Sequence, residues 1–420
     1  MKKIYTGIDL GSYGIKIIVS ECVNGAFHVL AATNVRSRGI VNGEIVDLEN
    51  AIASVQKAKK NIEEMIGVSI NQAIVSVSSK DIDFNIVSGE ISLDKDQLID
   101  SKEIAQVLHE SILGNVEEKR ELITIMPISF YVDNKEGVKD PKGMMGEKLS
   151  VKAVVTTIPK ASLKQTLSLL KNCEITPIDV CFTSIGDYFE ARNQEVDSGV
   201  SAIVNLGYSH IDVSIFNKGI MIKNETIEMG SSEIDLEIMR KYSVKRGVAR
   251  GLKERFAISN TRHADAGDYV EVLNRDGEKV TIGQLEISEL VENKFLELLK
   301  LAKKQINLLT NREIRYIIIT GGISELAGFQ YVVENVFDRR ATTLDISTMG
   351  VRNNMYSSAL GMIKYFYYKL ESRGKTYSMF SESQSEDLIS SNRKMSGTTN
   401  ESIIQKVFGY FSWRWGGFLC

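Results

Sequence analysis

Two stretches of this chain, TGIDLGSYGIKIIVS at 6–20 and IVNLGYSHIDVSIF at 203–216, follow one pattern. Each runs through an apolar strand, an Asp or Asn, one residue, a glycine, a small polar turn and a second apolar strand, which reads as a β-hairpin. Both copies stand where an α/β half begins, with strand and helix patterns following. The chain is therefore expected to fold as two duplicated α/β halves whose hairpin turns face one cleft. Its 420 residues suit two or three domains.

A turn of small residues exposes backbone N–H groups that can cradle phosphate oxygens. A carboxylate beside it, here Asp9, can hold Mg²⁺ directly or through water. Alone, either hairpin reads equally as a tight turn whose Asp satisfies its own amides. A third glycine turn, TGGISELAGF at 320–329, follows a buried strand and precedes a helix. Two facing hairpins and a distal Gly-Gly turn describe a nucleotide cleft. The second hairpin departs from the first: Asn205 keeps an oxygen but lacks the charge that anchors Mg²⁺ or polarises a water. Tyr208 stands where a glycine would let phosphate approach the backbone. His210 is either a phosphate donor or a turn residue facing solvent.

Composition narrows the partners. Fifty-one basic against 54 acidic residues give a net charge of −3, which argues against a broad nucleic-acid surface. The four cysteines form no CxxC pair and no secreted-type framework, which fits a reducing cytoplasm. The four histidines never reach metal-ligand spacing. No apolar run is long enough to span a bilayer, so membrane contact is expected from the surface alone.

Periodicity places a helix over 48–66 ending at Gly67, strands over 73–93, a helix over 101–112, and a strand at ELITIMPISFYVD that Pro127 confines to an edge or bulge. The pattern restarts at 198–199. Helical material follows over 231–257, then a polar strand pair at 268–283, a long amphipathic helix at 287–309, the strand YIIIT and a last helix at SSALGMIKYFYYKL. From 372 to 399 the chain turns rich in Ser, Glu, Asn and Gly and is expected to be a flexible linker. Beyond it, Ile403, Ile404, Val407, Phe408, Phe411 and Trp415 share one face of an expected helix over 400–415. Its aromatics suit a membrane interface.

The order GIDLGSYGIK, IVNLGYSHID, ITGGISELAGF resembles the phosphate-1, phosphate-2 and adenosine motifs of the actin-like ATPases. GIVNGEIVDLENAIASVQKAKKNIEEMIG and the segment ending VKDPKGMMGEKL are similar to the FtsA family of bacterial cell-division proteins within that superfamily. The resemblance covers residues 1–370. It implies an α/β, actin-like architecture of two RNase H-like domains with a small family-specific domain inserted in the first half. The first domain would comprise 1–83, 167–197 and 356–371, with the insert at 84–166. The second would comprise 198–230 and 311–355, with a small subdomain at 231–310.

For the site, the resemblance implies nucleotide contacts from Asp9, Gly11, Ser12, Tyr13 and Lys16, with Mg²⁺ on Asp9. It implies further contacts from Asn205, Gly207, Tyr208, Ser209, Gly230, Lys253, Gly321, Gly322 and Ile323. Arg250 stands where the family pairs a Glu with Lys253. The implied cofactors are ATP and Mg²⁺, with hydrolysis slow or absent. The implied partners are the C-terminal tail of the tubulin-like protein FtsZ, further copies of the chain in protofilaments, the inner membrane surface and later division proteins at the septum. Lys294 and Lys303 on the long helix are candidates for the FtsZ tail, or simply solvated lysines. Rival readings are a sugar-kinase-type phosphotransferase, against which Asn205 speaks, a nucleotide-independent scaffold, and a pilus-type actin-like adaptor.

Overall fold

The computed structural model describes residues 2–94, 97–385 and 388. The chain opens with a meander of β1 (Lys3–Leu10), β2 (Gly14–Val23) and β3 (Ala26–Arg36), whose pairing sets Asp9 opposite Lys16. A small hairpin follows, β4 (Ile40–Val41) and β5 (Glu44–Ile45), closed by Asn42 and Gly43 at φ 49° and 75°. This Asn-Gly pair is the sequence best able to hold both positive angles of a two-residue turn. Helix α1 (Leu48–Ile66) starts where Asp47 accepts the Asn50 N–H and stops at Gly67, φ 72°. Its buried stripe, Ala51, Val55, Ala58, Ile62 and Ile66, recurs at helical spacing. Strand β6 (Gln72–Val77) then lies parallel to β1.

The inserted unit holds β7 (Asp83–Ser92), α2 (Ser101–Ile112), β8 (Arg120–Val132), β9 (Lys135–Val138) and β10 (Lys148–Pro159), in sheet order β7-β10-β8-β9. Val87, Val107, Phe130 and Val151 belong to its separate core. Pro127 sits at a register shift in β8, where a missing N–H breaks no ladder. Helix α3 (Lys160–Asn172) packs on α1, with Leu169 and Leu170 in the first half's core. The insert thus ends at Pro159, short of the expected 166. Helical periodicity reveals α3 but not which body its apolar face joins.

Strand β11 (Thr176–Phe182) completes the first sheet, β11-β6-β1-β2-β3, and α4 (Thr183–Ala191) leads toward the second half. There β12 (Val200–Leu206), β13 (Ile211–Asn217) and β14 (Ile220–Ile227) form the second meander. Next come α5 (Ser232–Tyr242), α6 (Arg246–Arg255), the pair β15 (Tyr269–Leu273) and β16 (Lys279–Gly283), and α7 (Gln284–Leu309). Then β17 (Tyr316–Thr320), α8 (Phe329–Phe337) and β18 (Ala341–Thr343) finish the second sheet, β14-β13-β12-β17-β18. Strand for strand this repeats the first sheet. Asn205 faces Asp212 as Asp9 faces Lys16, so the repeat in the sequence is a repeat in register.

Helix α9 (Ser357–Ser372) returns to the first half and crosses α4. A Cβ on Gly361 would run into the carbonyl of Gly186, so this crossing is a backbone contact that tolerates no side chain. The following residues correct the expected linker. Met379 donates its N–H to the Ile4 carbonyl at 3.0 Å, Ser378 Oγ accepts the Ile4 N–H at 3.3 Å, and Tyr377 donates to Gln72 at 2.7 Å. Met379, Phe380 and Leu388 are buried. The short apolar run Tyr-Ser-Met-Phe is lost in the polar average of its neighbourhood, yet it suffices to strap the chain against β1. Among the described residues no helix is long and apolar enough to cross a membrane.

Candidate functional site

The turns after β1 and β12 open on a cavity of about 340 Å³ between the halves, within the usual range for a small-molecule site. Asp9, Gly11, Ser12, Tyr13 and Lys16 line it from the first half. Asn205, Gly207, Tyr208, Gly321, Gly322 and Ile323 line it from the second, so the structure gathers these eleven expected residues around one space.

In the first hairpin, Lys16 Nζ lies 2.8 Å from Asp9 Oδ2, and Ser76 reaches Asp9 Oδ1 at 3.4 Å. The pairing is a direct result of register, and the lysine also crowds the turn: a Cβ on Gly11 would come within 2.7 Å of its Nζ. The second hairpin is wired differently. Asn205 donates its amide to Asp187 Oδ2 at 2.5 Å, and Asp187 also receives Thr320 Oγ1 at 2.8 Å, Ser357 Oγ at 2.6 Å and Ser358 Oγ at 2.8 Å. Asp187 is fully buried, and burial drives its pKa upward against the pull of those four bonds.

His210 points into the cavity, not out to solvent, with its side chain one-fifth exposed. Its Nε2 lies 3.5 Å from the buried Asp212 and its Nδ1 3.2 Å from Ser209 Oγ. Burial opposes the imidazolium, yet Asp212, with Asp9 adding to it, holds the pKa above the ordinary 6.5. Burial likewise opposes the Asp212 carboxylate, but His210, Thr226 and Ser79 hold it below the usual range. Ser209 itself lies behind the wall and accepts the Asn42 N–H at 3.0 Å, while Gly43 donates to Ser12 Oγ at 3.3 Å. The Asn-Gly turn therefore touches both hairpins.

Tyr208 does not lie along the floor of the site. Its ring meets Tyr13 from the other half at 5.3 Å between centroids, and the Arg36 and Arg250 guanidinium groups lie within 5.2 Å of both rings. Tyr208 OH donates to Asp235 at 3.0 Å and accepts from Arg250 at 2.8 Å, and Tyr13 OH donates to Glu254 at 3.0 Å.

The structure does not bring Lys253 to the cavity. Its ammonium is fully buried, 2.6 Å from Asp235 and 3.1 Å from the Ser231 carbonyl, and burial lowers its pKa against Asp235. The neighbouring Glu254 lines the cavity instead. Gly230 also lies outside the wall; a Cβ there would meet the Tyr208 carbonyl at 2.5 Å, so it permits the second turn to pack. Lys294 is paired with Glu297 and Glu237, and Lys303 donates to the Val336 carbonyl at 2.5 Å, so both are engaged within the fold. The apolar face expected over 400–415 lies outside the described residues.

The cavity joins a polar end at Asp9, Lys16 and His210 to an apolar end at Ile323, Leu326 and Met355, where Gly321 (φ 100°) and Gly322 present bare backbone. A nucleotide fits that division, its phosphates at one end and its base at the other. A Mg²⁺ here would find one cavity carboxylate at the turns, Asp9, and would take its other ligands from phosphate and water. Asp9 already shares its carboxylate with Lys16, Asn205 brings no charge, and among the described residues no group of three metal-binding side chains gathers.

Comparison with known proteins converges on one group. The family described as the SHS2 domain inserted in FtsA matches residues 79–157, and the family described as cell division protein FtsA matches 202–361. The cell division protein FtsA of Bacillus subtilis is 22% identical over 366 residues, covering 86% of this chain and 83% of that protein. Among solved structures, the PilM–PilN type IV pilus biogenesis complex aligns at TM-score 0.58 and 11% identity, covering 85% of this chain and 97% of that one. MreB5 of Spiroplasma citri bound to ADP aligns at TM-score 0.55 and 10% identity, covering 89% and 98%. With its duplicated sheets, its inserted unit and these matches, the chain belongs to the FtsA family of bacterial cell-division proteins and has their actin-like fold.

Proposed function

We propose that this chain is an ATP-holding adaptor that forms actin-like filaments and ties FtsZ filaments to the cytoplasmic face of the cell membrane at the septum, where later division proteins join. The observation that supports it most is the pairing of two hairpin turns and the Gly321–Gly322 turn around one cavity, in a chain of this family. The apolar face at Ile403, Ile404, Val407, Phe408, Phe411 and Trp415 supplies the membrane contact by interfacial burial, with Lys406 and Arg414 adding attraction to anionic lipid.

ATP serves here as a bound element of assembly. Lys16 meets the phosphates as a point charge, and the glycine backbone of both turns donates to them. Any Mg²⁺ arrives on those phosphates and meets Asp9 there, directly or through water. Hydrolysis is slow or absent, because the second hairpin offers a neutral amide already bound to Asp187. The test uses anionic liposomes with the full chain and with the chain lacking 400–420, each with and without FtsZ filaments. The full chain pellets and carries FtsZ with it, and the shortened chain does neither. Pelleting of the shortened chain would reject the anchor. A parallel titration with fluorescent ATP rejects the nucleotide reading if wild type and Asp9→Ala both fail to bind.

A further inference from the structure

The halves of this molecule touch each other across the very cleft that a nucleotide would bridge. Tyr13 and Arg36 come from the first half; Tyr208, Arg250 and Glu254 come from the second. The two rings, tilted 57° to each other, and the guanidinium groups form one cluster, Arg36 and Arg250 flanking the tyrosine pair at 4.5–5.2 Å from the ring centres. The hydroxyl of Tyr13 reaches Glu254 at 3.0 Å, and that of Tyr208 is fixed between Arg250 and Asp235. A few residues away the Asn42–Gly43 turn donates one N–H to Ser209 and the next to Ser12. Lys80 adds an ion pair to Glu228 of the second half at 3.1 Å.

We propose that these contacts are a built-in latch: the cleft of this chain closes on itself and stays closed with no nucleotide bound. Tyr208 carries the device. In a turn otherwise suited to small residues, its ring supplies the surface on which Tyr13 and both arginines meet, and aromatic and cationic groups packed this closely attract one another beyond their buried area. The cavity that the two tyrosines line remains, so a nucleotide can occupy it. The nucleotide then fills a cleft that is already closed.

The test measures the distance across the cleft in the full chain by pulsed electron spin resonance. Labels are placed at Leu48→Cys at the start of α1 and Arg246→Cys at the start of α6, the helix that carries Arg250 and Glu254, both exposed positions, in a Cys420→Ser background that leaves only the buried native cysteines. Bound nucleotide is first removed enzymatically. The expected result is a single narrow distance in the empty protein that ATP does not shift, and a longer, broader distribution in empty Tyr13→Ala and Tyr208→Gly. Arg36→Gln removes only one cation from the cluster and reports in the same direction should an aromatic variant fail to fold. A long distance in empty wild type that ATP shortens overturns the proposal, and so do variants that all keep the wild-type distance. Failure of ATP to bind at all rejects the nucleotide reading and leaves the closure measurement standing.

Discussion

Asn205 gives its amide to the buried carboxylate of Asp187 at 2.5 Å, across the junction of the two halves. Asp187 sits on α4, and its four donors come from β12, β17 and the start of α9. The residue at 205 is therefore half of a pair whose other half is already a buried acid.

Placing an acid at this position is expected to cost stability. Asn205→Asp sets two carboxylates against each other out of water, so one must keep a proton or the contact must break. The expected cost is about 2–3 kcal/mol at neutral pH, read by urea unfolding, with the loss shrinking toward acid pH. Adding Asp187→Asn, which exchanges the two groups, recovers most of it; additive losses would count against this pairing.

The His210–Asp212 pair predicts a second pH dependence. The folded pKa of His210 lies above 6.5, so its stabilisation is complete below that ordinary value and is lost as pH rises through the raised one. Asp212, held below its ordinary 3.8, contributes above that value and is lost as pH falls through its folded pKa. Thermal unfolding of wild type is expected to weaken from near-neutral to alkaline pH, and His210→Gln to flatten that slope. An equal slope in the variant assigns the titration elsewhere.

Lys253 separates stability from binding. Lys253→Met leaves the buried Asp235 with only Arg250 at 3.5 Å and the Tyr208 hydroxyl. Breaking a buried ion pair costs about 3 kcal/mol. Because the ammonium does not face the cavity, fluorescent ATP binding is expected to stay within twofold of wild type at temperatures where the variant is folded. A tenfold loss would mean that the ammonium turns toward the nucleotide.

The strap over β1 makes a truncation prediction. A chain ending at 399 keeps the thermal stability of the full chain, whereas one ending at 375 loses the burial of Met379, Phe380 and Leu388. Phe380→Ala alone is expected to cost about 3 kcal/mol, the usual penalty for emptying a buried aromatic site. Equal unfolding midpoints for the two truncations would show the strap to be idle.

What was legible in the sequence was local. The hairpin echo, the Gly-Gly turn and the cap and stop of α1 are written in consecutive residues, and β1/β2 and β12/β13 repeat because each turn fixes its own register. What stayed hidden depended on distance along the chain. Asp187 lies in TSIGDYFEA with no motif around it, and its donors are 18 to 171 residues away. The Tyr13–Tyr208 contact needs both halves folded before either ring has a reason to be there. Lys253 matches a motif by its place in the sequence, but its register on α6 turns it inward and leaves Glu254 facing the cavity.

The strap also sets a leash. Once Leu388 is fixed to the body, only eleven residues, 389–399, separate it from position 400. Eleven residues span about 40 Å at full stretch, whereas the 28 residues of 372–399 would have spanned about 100 Å. If 400–415 holds a bilayer as proposed, only those faces of the body that lie within that arc of Leu388 can reach it. Under that anchoring, neighbouring copies would all turn the side bearing Leu388 toward the lipid before making any contact with one another.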